Sequence, residues 1–114
     1  MKNLHHFLSV LSLGALLAAV SCSGATGDYC DKEHDCEGGN DADRDACVAR
    51  AQASSDVADD YDCGDQYGEY LDCIADKSTC NNGHLESSAC ASQSLSLNNC
   101  VEGARGKKLD SGKK

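Results

Sequence analysis

The chain has 114 residues, with 19 acidic against 10 basic side chains and a formal net charge of −9 at pH 7. A protein this acidic repels nucleic-acid phosphates, which argues against nucleic-acid binding. Only 4% of the residues are aromatic and tryptophan is absent. The apolar side chains are therefore too few to offset the conformational entropy of folding without covalent help.

Residues 1–21 have the pattern of a cleaved secretion signal. Lys2 gives a short basic start, and residues 7–20 form an uncharged stretch dominated by Leu, Ala and Val. A basic start, an apolar stretch of about 7–15 residues and then small residues are typical of signal peptides. A membrane-spanning helix needs about 20 apolar residues, so we expect export and removal of this segment rather than a membrane span.

Residues 16–22, with the sequence LLAAVSC, resemble the lipobox of bacterial lipoproteins. In that family the cysteine sulfur receives a diacylglycerol and becomes the new N-terminus, which implies lipidation of Cys22 and a membrane anchor. Ala19 stands where the family usually has Leu. Ser23 after the cysteine resembles outer-membrane sorting in enteric bacteria, which implies an envelope protein anchored in the outer membrane. An ordinary cut after Ala25 would instead give a freely secreted protein.

Composition divides the rest of the chain into three segments. Residues 22–28, rich in Gly, Ser, Ala and Thr, are predicted to form a flexible tether. Residues 29–103 are predicted to form one folded domain, with a net charge of −14 between residues 28 and 103. Residues 104–114 are rich in Gly, Lys and Ser and have a net charge of +4. They are predicted to be a basic, disordered tail.

Eight cysteines lie in the predicted domain, and this density is typical of a disulfide scaffold in an exported protein. They are Cys30, Cys36, Cys47, Cys63, Cys73, Cys80, Cys90 and Cys100. Each native disulfide contributes about 2–4 kcal/mol of stability. Structural zinc sites use ligands spaced C-x2-4-C, whereas the shortest gap here is five residues. We therefore expect disulfides and no metal.

The pattern C-x9-10-C followed by Val or Ile occurs three times, at residues 36–47, 63–73 and 90–100. We interpret each unit as a short helix, because ten helical residues advance about 15 Å and place the two cysteines at opposite ends. The predicted fold class is mostly α, a small disulfide-stapled bundle of about three short helices.

The second unit gives the clearest helical pattern. Tyr67, Tyr70, Leu71 and Ile74 are spaced i, i+3, i+4 and i+7, which predicts one apolar face. We expect Asp62 or Asp65 to cap this helix. Residues 81–83, Asn-Asn-Gly, predict a turn after it.

The other two units give weaker patterns. Asp41 or Asp43 can cap the first, and Ser87 or Ser88 the third. The first unit also has a stripe of small residues that suits close helix approach. The stripe consists of Ala42, Ala46, Ala49 and Ala53.

The spacing of residues 63–100 resembles the twin Cx9C helical hairpin, in which the outer cysteines pair with each other and so do the inner ones. This resemblance implies the disulfides Cys63–Cys100 and Cys73–Cys90. The same section, C-x3-Y-x5-C followed by C-x9-C, resembles the terminal part of small cysteine-rich lipoproteins of myxobacteria. That likeness implies location and fold and no particular activity. From spacing alone, eight cysteines allow 105 pairings, and these stay open.

An acidic stretch invites comparison with a calcium loop. Asp41, Asp43 and Asp45 match the D-x-D-x-D opening of an EF-hand, but the loop needs Gly at its sixth position and Glu at its twelfth. Ala46 and Gln52 occupy those positions. We therefore interpret the acidic residues as the start of a helix, where they complement the helix dipole.

Catalytic motifs are not found in the sequence. His34 lies in a charged stretch that we interpret as a solvated turn, and His84 follows Asn-Gly in a predicted loop. Neither a nucleophile motif nor the C-x-x-C of thiol–disulfide exchange is present. We predict no enzyme activity, no catalytic residues and no cofactor.

The leading hypothesis is a lipid-anchored cell-envelope protein with a structural or binding role. Its membrane contact would be the N-terminal lipid, and the sequence does not identify a protein or ligand partner. The alternative is a freely secreted, disulfide-rich effector such as an inhibitor or a toxin-like protein. A third hypothesis is an acidic protein that binds cations.

Overall fold

A computed structural model of the chain describes residues 24–111. The predicted signal segment, Cys22 and the last three residues lie outside this range. The described part is mostly α, as predicted, with four helices rather than about three. They are α1 (Ala25–Glu37), α2 (Asp41–Asp59), α3 (Gly64–Lys77) and α4 (Ala91–Ser111). A two-stranded hairpin and one 3-10 turn (Ser88–Cys90) separate α3 from α4.

Helix α1 begins inside the segment predicted to be a tether. Residues 25–28 are helical, and the Gly24 carbonyl accepts hydrogen bonds from Gly27 N (2.8 Å) and Asp28 N (3.2 Å). Gly27 is buried, and Asp28 places an acidic side chain in the first turn, where it complements the helix dipole. Small residues suggested flexibility, but here they permit a close-packed helix start.

Helices α1 and α2 meet at a glycine turn, so the first cysteine unit is not a single helix. Gly38 and Gly39 have φ of +75° and +125°, a region that glycine adopts without steric cost. Asn40 caps α2 through a capping box. Its side chain accepts from Ala42 N at 2.8 Å, and the Asp43 carboxylate accepts from Asn40 N at 2.9 Å. The cap is thus Asn40, and Asp43 is its partner.

The buried face of α2 differs from the predicted one. Its buried residues are Cys47, Ala51 and Ala58. The predicted small-residue stripe is exposed throughout, at Ala42, Ala46, Ala49 and Ala53. A disulfide between Cys30 and Cys47 fixes which side of α2 faces α1, and alanines elsewhere on the helix are left to solvent.

Helix α3 has the predicted apolar face. Leu71 and Ile74 are buried, and Tyr67 and Tyr70 are half-buried. The predicted aspartate cap is absent, because Cys63 occupies the N-cap position and makes no side-chain capping bond. Asp62 instead takes a left-handed conformation with φ of +57° in the turn from α2.

The hairpin consists of β1 (Thr79–Asn81) and β2 (His84–Glu86). The strands are antiparallel, with Cys80 opposite Leu85, and Asn82 and Gly83 form the turn. Both turn residues have positive φ, +53° and +76°, as expected for a tight Asn-Gly hairpin turn. The predicted turn at residues 81–83 is therefore confirmed.

Helix α4 continues through much of the segment predicted to be disordered. It is described as far as Ser111 and has no buried residue over that range. Lys108 Nζ donates to the Asp60 carbonyl at 2.7 Å and lies 4.5 Å from the centre of the Tyr61 ring. These contacts attach the basic end of α4 to the turn between α2 and α3. At the start of the helix, Ser87 precedes the 3-10 turn without a side-chain capping bond.

Two small clusters of buried residues form part of the core. Cys30, Cys47 and Ala51 form one, and Cys73, Ile74 and Cys90 form the other. Half-buried Tyr29 packs against both clusters. Cysteine sulfur therefore supplies much of the buried apolar surface, in keeping with the scarcity of large apolar side chains.

Candidate functional site

The eight cysteines of the described region form four disulfides: Cys30–Cys47, Cys36–Cys80, Cys63–Cys100 and Cys73–Cys90. Their Cα–Cα distances run from 5.4 to 6.0 Å, within the usual range. The last two pairs are those that the twin Cx9C resemblance implied. Nothing in the sequence pattern distinguished the first two, because each joins a cysteine of the first spacing unit to a cysteine that lies outside all three units.

The disulfides divide the described chain into two halves, which we call the N-terminal half (residues 24–59) and the C-terminal half (residues 63–111). Cys30–Cys47 links α1 to α2 within the N-terminal half. Cys63–Cys100 and Cys73–Cys90 link α3 to α4 and to the 3-10 turn within the C-terminal half. Cys36–Cys80 joins the end of α1 to β1, so among these disulfides it alone connects the halves.

Burial also distinguishes Cys36–Cys80 from the other three disulfides. The fully buried side chains of the described region are Cys30, Cys63 and Cys90, and each belongs to a different disulfide. Cys36 is half-buried and Cys80 is exposed. Three disulfides are thus part of the core, whereas Cys36–Cys80 lies at the surface.

A polar cluster occupies the contact between α1 and α2. The Tyr29 hydroxyl donates to Glu33 Oε2, and Arg50 Nη2 donates to Glu33 Oε1 at 2.8 Å. Burial and, to a smaller extent, the Glu33 carboxylate raise the pKa of Tyr29 to about 12. The same carboxylate raises the pKa of Arg50. The cluster keeps Tyr29 protonated and orients it across both core clusters.

A shallow groove of about 180 Å³ lies beside this cluster. Its lining includes Tyr29, Tyr67, Tyr70, Arg50 and Ser54. The Tyr67 hydroxyl donates to the Ala51 carbonyl at 3.1 Å, and burial raises its pKa. The hydroxyls of Tyr29 and Tyr67 are thus already used within the fold, and these two rings brace the helices.

An acidic groove of about 430 Å³ runs between α1 and α3. Its carboxylates are Asp28, Asp31, Asp35, Asp72 and Asp76. Arg44 pairs with Asp31 at its edge, and this hydrogen bond holds the pKa of Asp31 below its usual value. In residues 24–111, no group of three or more His, Cys, Asp or Glu side chains is arranged to hold a metal ion.

The acidic residues of the calcium-like motif lie at the start of α2. Asp41, Asp43 and Asp45 are all exposed, and Asp43 is engaged in the capping box. They serve the helix N-terminus, where negative charge complements the dipole.

The two histidines of the predicted domain lie in different elements of the fold. His34 is in α1 and not in the solvated turn expected for it, and its Nε2 is buried without a hydrogen-bond partner among the described residues. His84 is exposed in β2. All eight cysteines of this region are oxidised, so none of them provides a thiol nucleophile in this state.

These features define a small, disulfide-rich helical protein. In residues 24–111 there is no helix both long enough and apolar enough to cross a membrane. The sequence matches no protein-family model, and comparison with curated proteins and with solved structures gave no significant match.

Proposed function

We propose that the chain is an exported cell-envelope protein, anchored by a lipid on Cys22, with a structural or binding role and no catalytic activity. The cysteine count supports export, and because a cut after Ala25 would leave the same eight paired cysteines, the choice of Cys22 rests on the lipobox-like segment and on the start of α1. The chain has nine cysteines, and the eight in the described region pair with one another. Cys22 remains, and it is the last residue of the lipobox-like segment. Disulfides persist in oxidising compartments outside the cytosol, so the four bridges also favour export.

The fold further supports the anchored form over the freely secreted one. A cut after Ala25 would remove Gly24, whose carbonyl accepts the first two hydrogen bonds of α1. It would also place a new ammonium group in the first turn of the helix, where positive charge opposes the dipole. A cut before Cys22 leaves Gly24 and this first turn intact.

The start of α1 at Ala25 shortens the expected tether. Fully extended chain spans at most about 3.3–3.6 Å per residue, so the segment from Cys22 to Ala25 reaches roughly 10 Å. A lipidated protein would therefore hold its folded domain close to the membrane surface. This proximity favours a role carried out at the membrane.

The binding role would use the acidic surface. Eighteen acidic and four basic side chains lie between residues 28 and 103, and several acidic side chains border the groove between α1 and α3. A basic protein partner is the class that such a surface attracts.

Lipidation is tested by labelling cells that express the full chain with radioactive palmitate, with and without globomycin. We expect label on the wild-type protein, none on Cys22→Ser, and accumulation of the unprocessed chain under globomycin. Ser23→Ala is the matched control, because it keeps Cys22 and should be labelled. An unlabelled wild-type protein whose mature N-terminus lies beyond Cys22 would contradict the proposal and favour the secreted effector.

A further inference from the structure

We propose that Cys36–Cys80 is a site of thiol–disulfide exchange, where a protein dithiol of the C-x-x-C class opens the one disulfide that joins the two halves. This inference concerns the folded domain and does not depend on how the N-terminus is anchored. It rests on three observations: the place of the disulfide in the fold, its exposure and the contacts that surround it.

The first observation is topological. Each half keeps at least one disulfide of its own when Cys36–Cys80 opens, namely Cys30–Cys47 in the N-terminal half and two in the C-terminal half. Tyr29 packs against both core clusters, and neither cluster includes Cys36 or Cys80. Reduction at this one site therefore removes the disulfide between the end of α1 and the hairpin, and the disulfides that hold each half together stay in place.

The second observation is access. Exchange requires a thiolate to reach one sulfur while the other sulfur leaves. In each of the other three disulfides, at least one cysteine is fully buried. A thiolate that forms in a buried position is poorly solvated and is a poor leaving group. Cys80 is exposed and Cys36 is half-buried, so both the attack and the departure can take place in contact with water.

The balanced reaction has two steps. A thiolate of the partner dithiol bonds to Cys80 Sγ, the Cys36–Cys80 bond breaks, and Cys36 leaves as a thiolate that takes a proton from water. The second thiol of the partner then attacks the partner's first sulfur, which is bonded to Cys80 in the mixed disulfide. The bond to Cys80 breaks, and Cys80 takes up the proton of the second thiol and is released as a thiol. The partner is oxidised to a disulfide by two electrons, and these two electrons reduce Cys36–Cys80.

The third observation supplies a local reporter of opening. The Leu85 N–H donates to Glu37 Oε1 at 3.3 Å. Both residues lie next to the disulfide, Leu85 in β2 and Glu37 in α1. Leu85 lies opposite Cys80 in the hairpin, and Glu37 follows Cys36 in α1. When the disulfide opens, this hydrogen bond between the halves loses its covalent support. Residues 79–86 remain held at their base, because Cys73–Cys90 closes the loop that contains them.

The test is graded reduction of the oxidised mature protein by dithiothreitol, followed by acid quenching, alkylation and peptide mass spectrometry. We expect Cys36 and Cys80 to be alkylated faster than the other six cysteines by at least about tenfold, because exchange rates depend on access. Labelling of another pair first, or of all eight cysteines together, would overturn the proposal. Reduced thioredoxin serves as the protein dithiol and should select the same pair. Failure of thioredoxin to open a disulfide that dithiothreitol opens would count against a protein-dithiol site.

Hydrogen exchange on the selectively reduced protein tests the structural consequence. The Leu85 amide should exchange about tenfold faster or more, whereas amides within α2 and α3 keep their protection. Unchanged exchange at Leu85, or loss of protection throughout the domain, would contradict the proposed opening.

Two double variants provide the matched comparison. Cys36→Ser with Cys80→Ser should fold, form the other three disulfides and show fast exchange at Leu85 without reductant. Cys30→Ser with Cys47→Ser removes a buried disulfide and should disturb the whole N-terminal half. Failure of the first variant to fold would overturn the proposal, because the disulfide would then be required for the fold itself.

Discussion

At the scale of single residues, the turn between α1 and α2 depends on a backbone conformation that other residues rarely adopt. Gly39 has φ of +125°, and a Cβ at this position would lie 2.9 Å from Asp43 Oδ2. That oxygen accepts the Asn40 N–H in the capping box of α2. The glycine therefore permits both the reversal of the chain and the helix cap.

Substitution of this glycine should destabilise the domain. We expect Gly39→Ala to lower the free energy of unfolding by about 1–3 kcal/mol, because alanine is strained at this φ. Gly103→Ala is the matched control, since Gly103 lies within α4 with no atom near its added Cβ, and it should stabilise by about 0.5–1 kcal/mol. Urea unfolding of the oxidised proteins gives both values. Equal effects of the two substitutions would contradict the assigned turn.

Tyr29 connects the two core clusters and should have a distinctive titration. Its pKa is raised to about 12 by burial and by Glu33, so absorbance titration should show one tyrosine ionising near that pH. Tyr29→Phe should remove this transition. Glu33→Gln should lower the pKa of Tyr29 and still leave it above 10, because burial is the larger cause. A wild-type titration without this late transition would contradict the described packing.

The same shift sets the direction of an alkaline pH dependence. Above pH 10 the unfolded chain loses the Tyr29 proton, whereas the folded chain keeps it until about pH 12. The unfolded state then binds fewer protons, so the free energy of unfolding falls as pH rises through this window. The decline should be smaller in Tyr29→Phe.

At the scale of whole elements, the last turns of α4 contact the turn between α2 and α3 through Lys108. Lys108 contacts the Tyr61 ring and the Asp60 carbonyl, and an exposed cation–π contact is worth about 0.5–1 kcal/mol. We expect Lys108→Gln to increase amide exchange in residues 105–111, with little change elsewhere. Lys107→Gln is the control, because it removes the positive charge of the neighbouring residue, which makes neither of these two contacts. Similar exchange in both variants would show that Lys108 does not hold the helix end.

Sequence periodicity identified the elements whose apolar residues are large. The spacing of Tyr67, Leu71 and Ile74 predicted the buried face of α3 correctly, because large apolar side chains on one side leave few alternatives. The alanines of α2 did not indicate which side of that helix is buried. Ala49 and Ala51 have the same side chain, yet only Ala51 is buried, since the partner of Cys47 decides which side of the helix faces inward.

Contacts between distant residues explain the remaining differences. The end of α4 looked disordered because its composition is polar, and the fold orders it through Tyr61, which is 47 positions before Lys108. The Cys36–Cys80 pair spans 44 residues and breaks the spacing pattern in which Cys36 and Cys47 bound one helix. Local pattern cannot reveal such a pairing, because it depends on how the two halves meet.

At the scale of the whole molecule, disulfides take the place of a conventional core. The three fully buried side chains among residues 24–111 are cysteines, and each disulfide contributes about 2–4 kcal/mol by restricting the unfolded chain. Such a fold suits an oxidising compartment outside the cytosol. The proposed export and the proposed lipidation at Cys22 are consistent with the oxidation of the other eight cysteines.

Intact mass of the protein purified from its own membranes tests this account of export, lipidation and oxidation most directly. We predict a chain that begins at Cys22, carries acyl groups, and is lighter by the eight hydrogens lost in forming four disulfides. Alkylation without reduction should add no mass. An unacylated chain that begins beyond Cys22, or one that takes up alkylating reagent at several cysteines, would contradict the account.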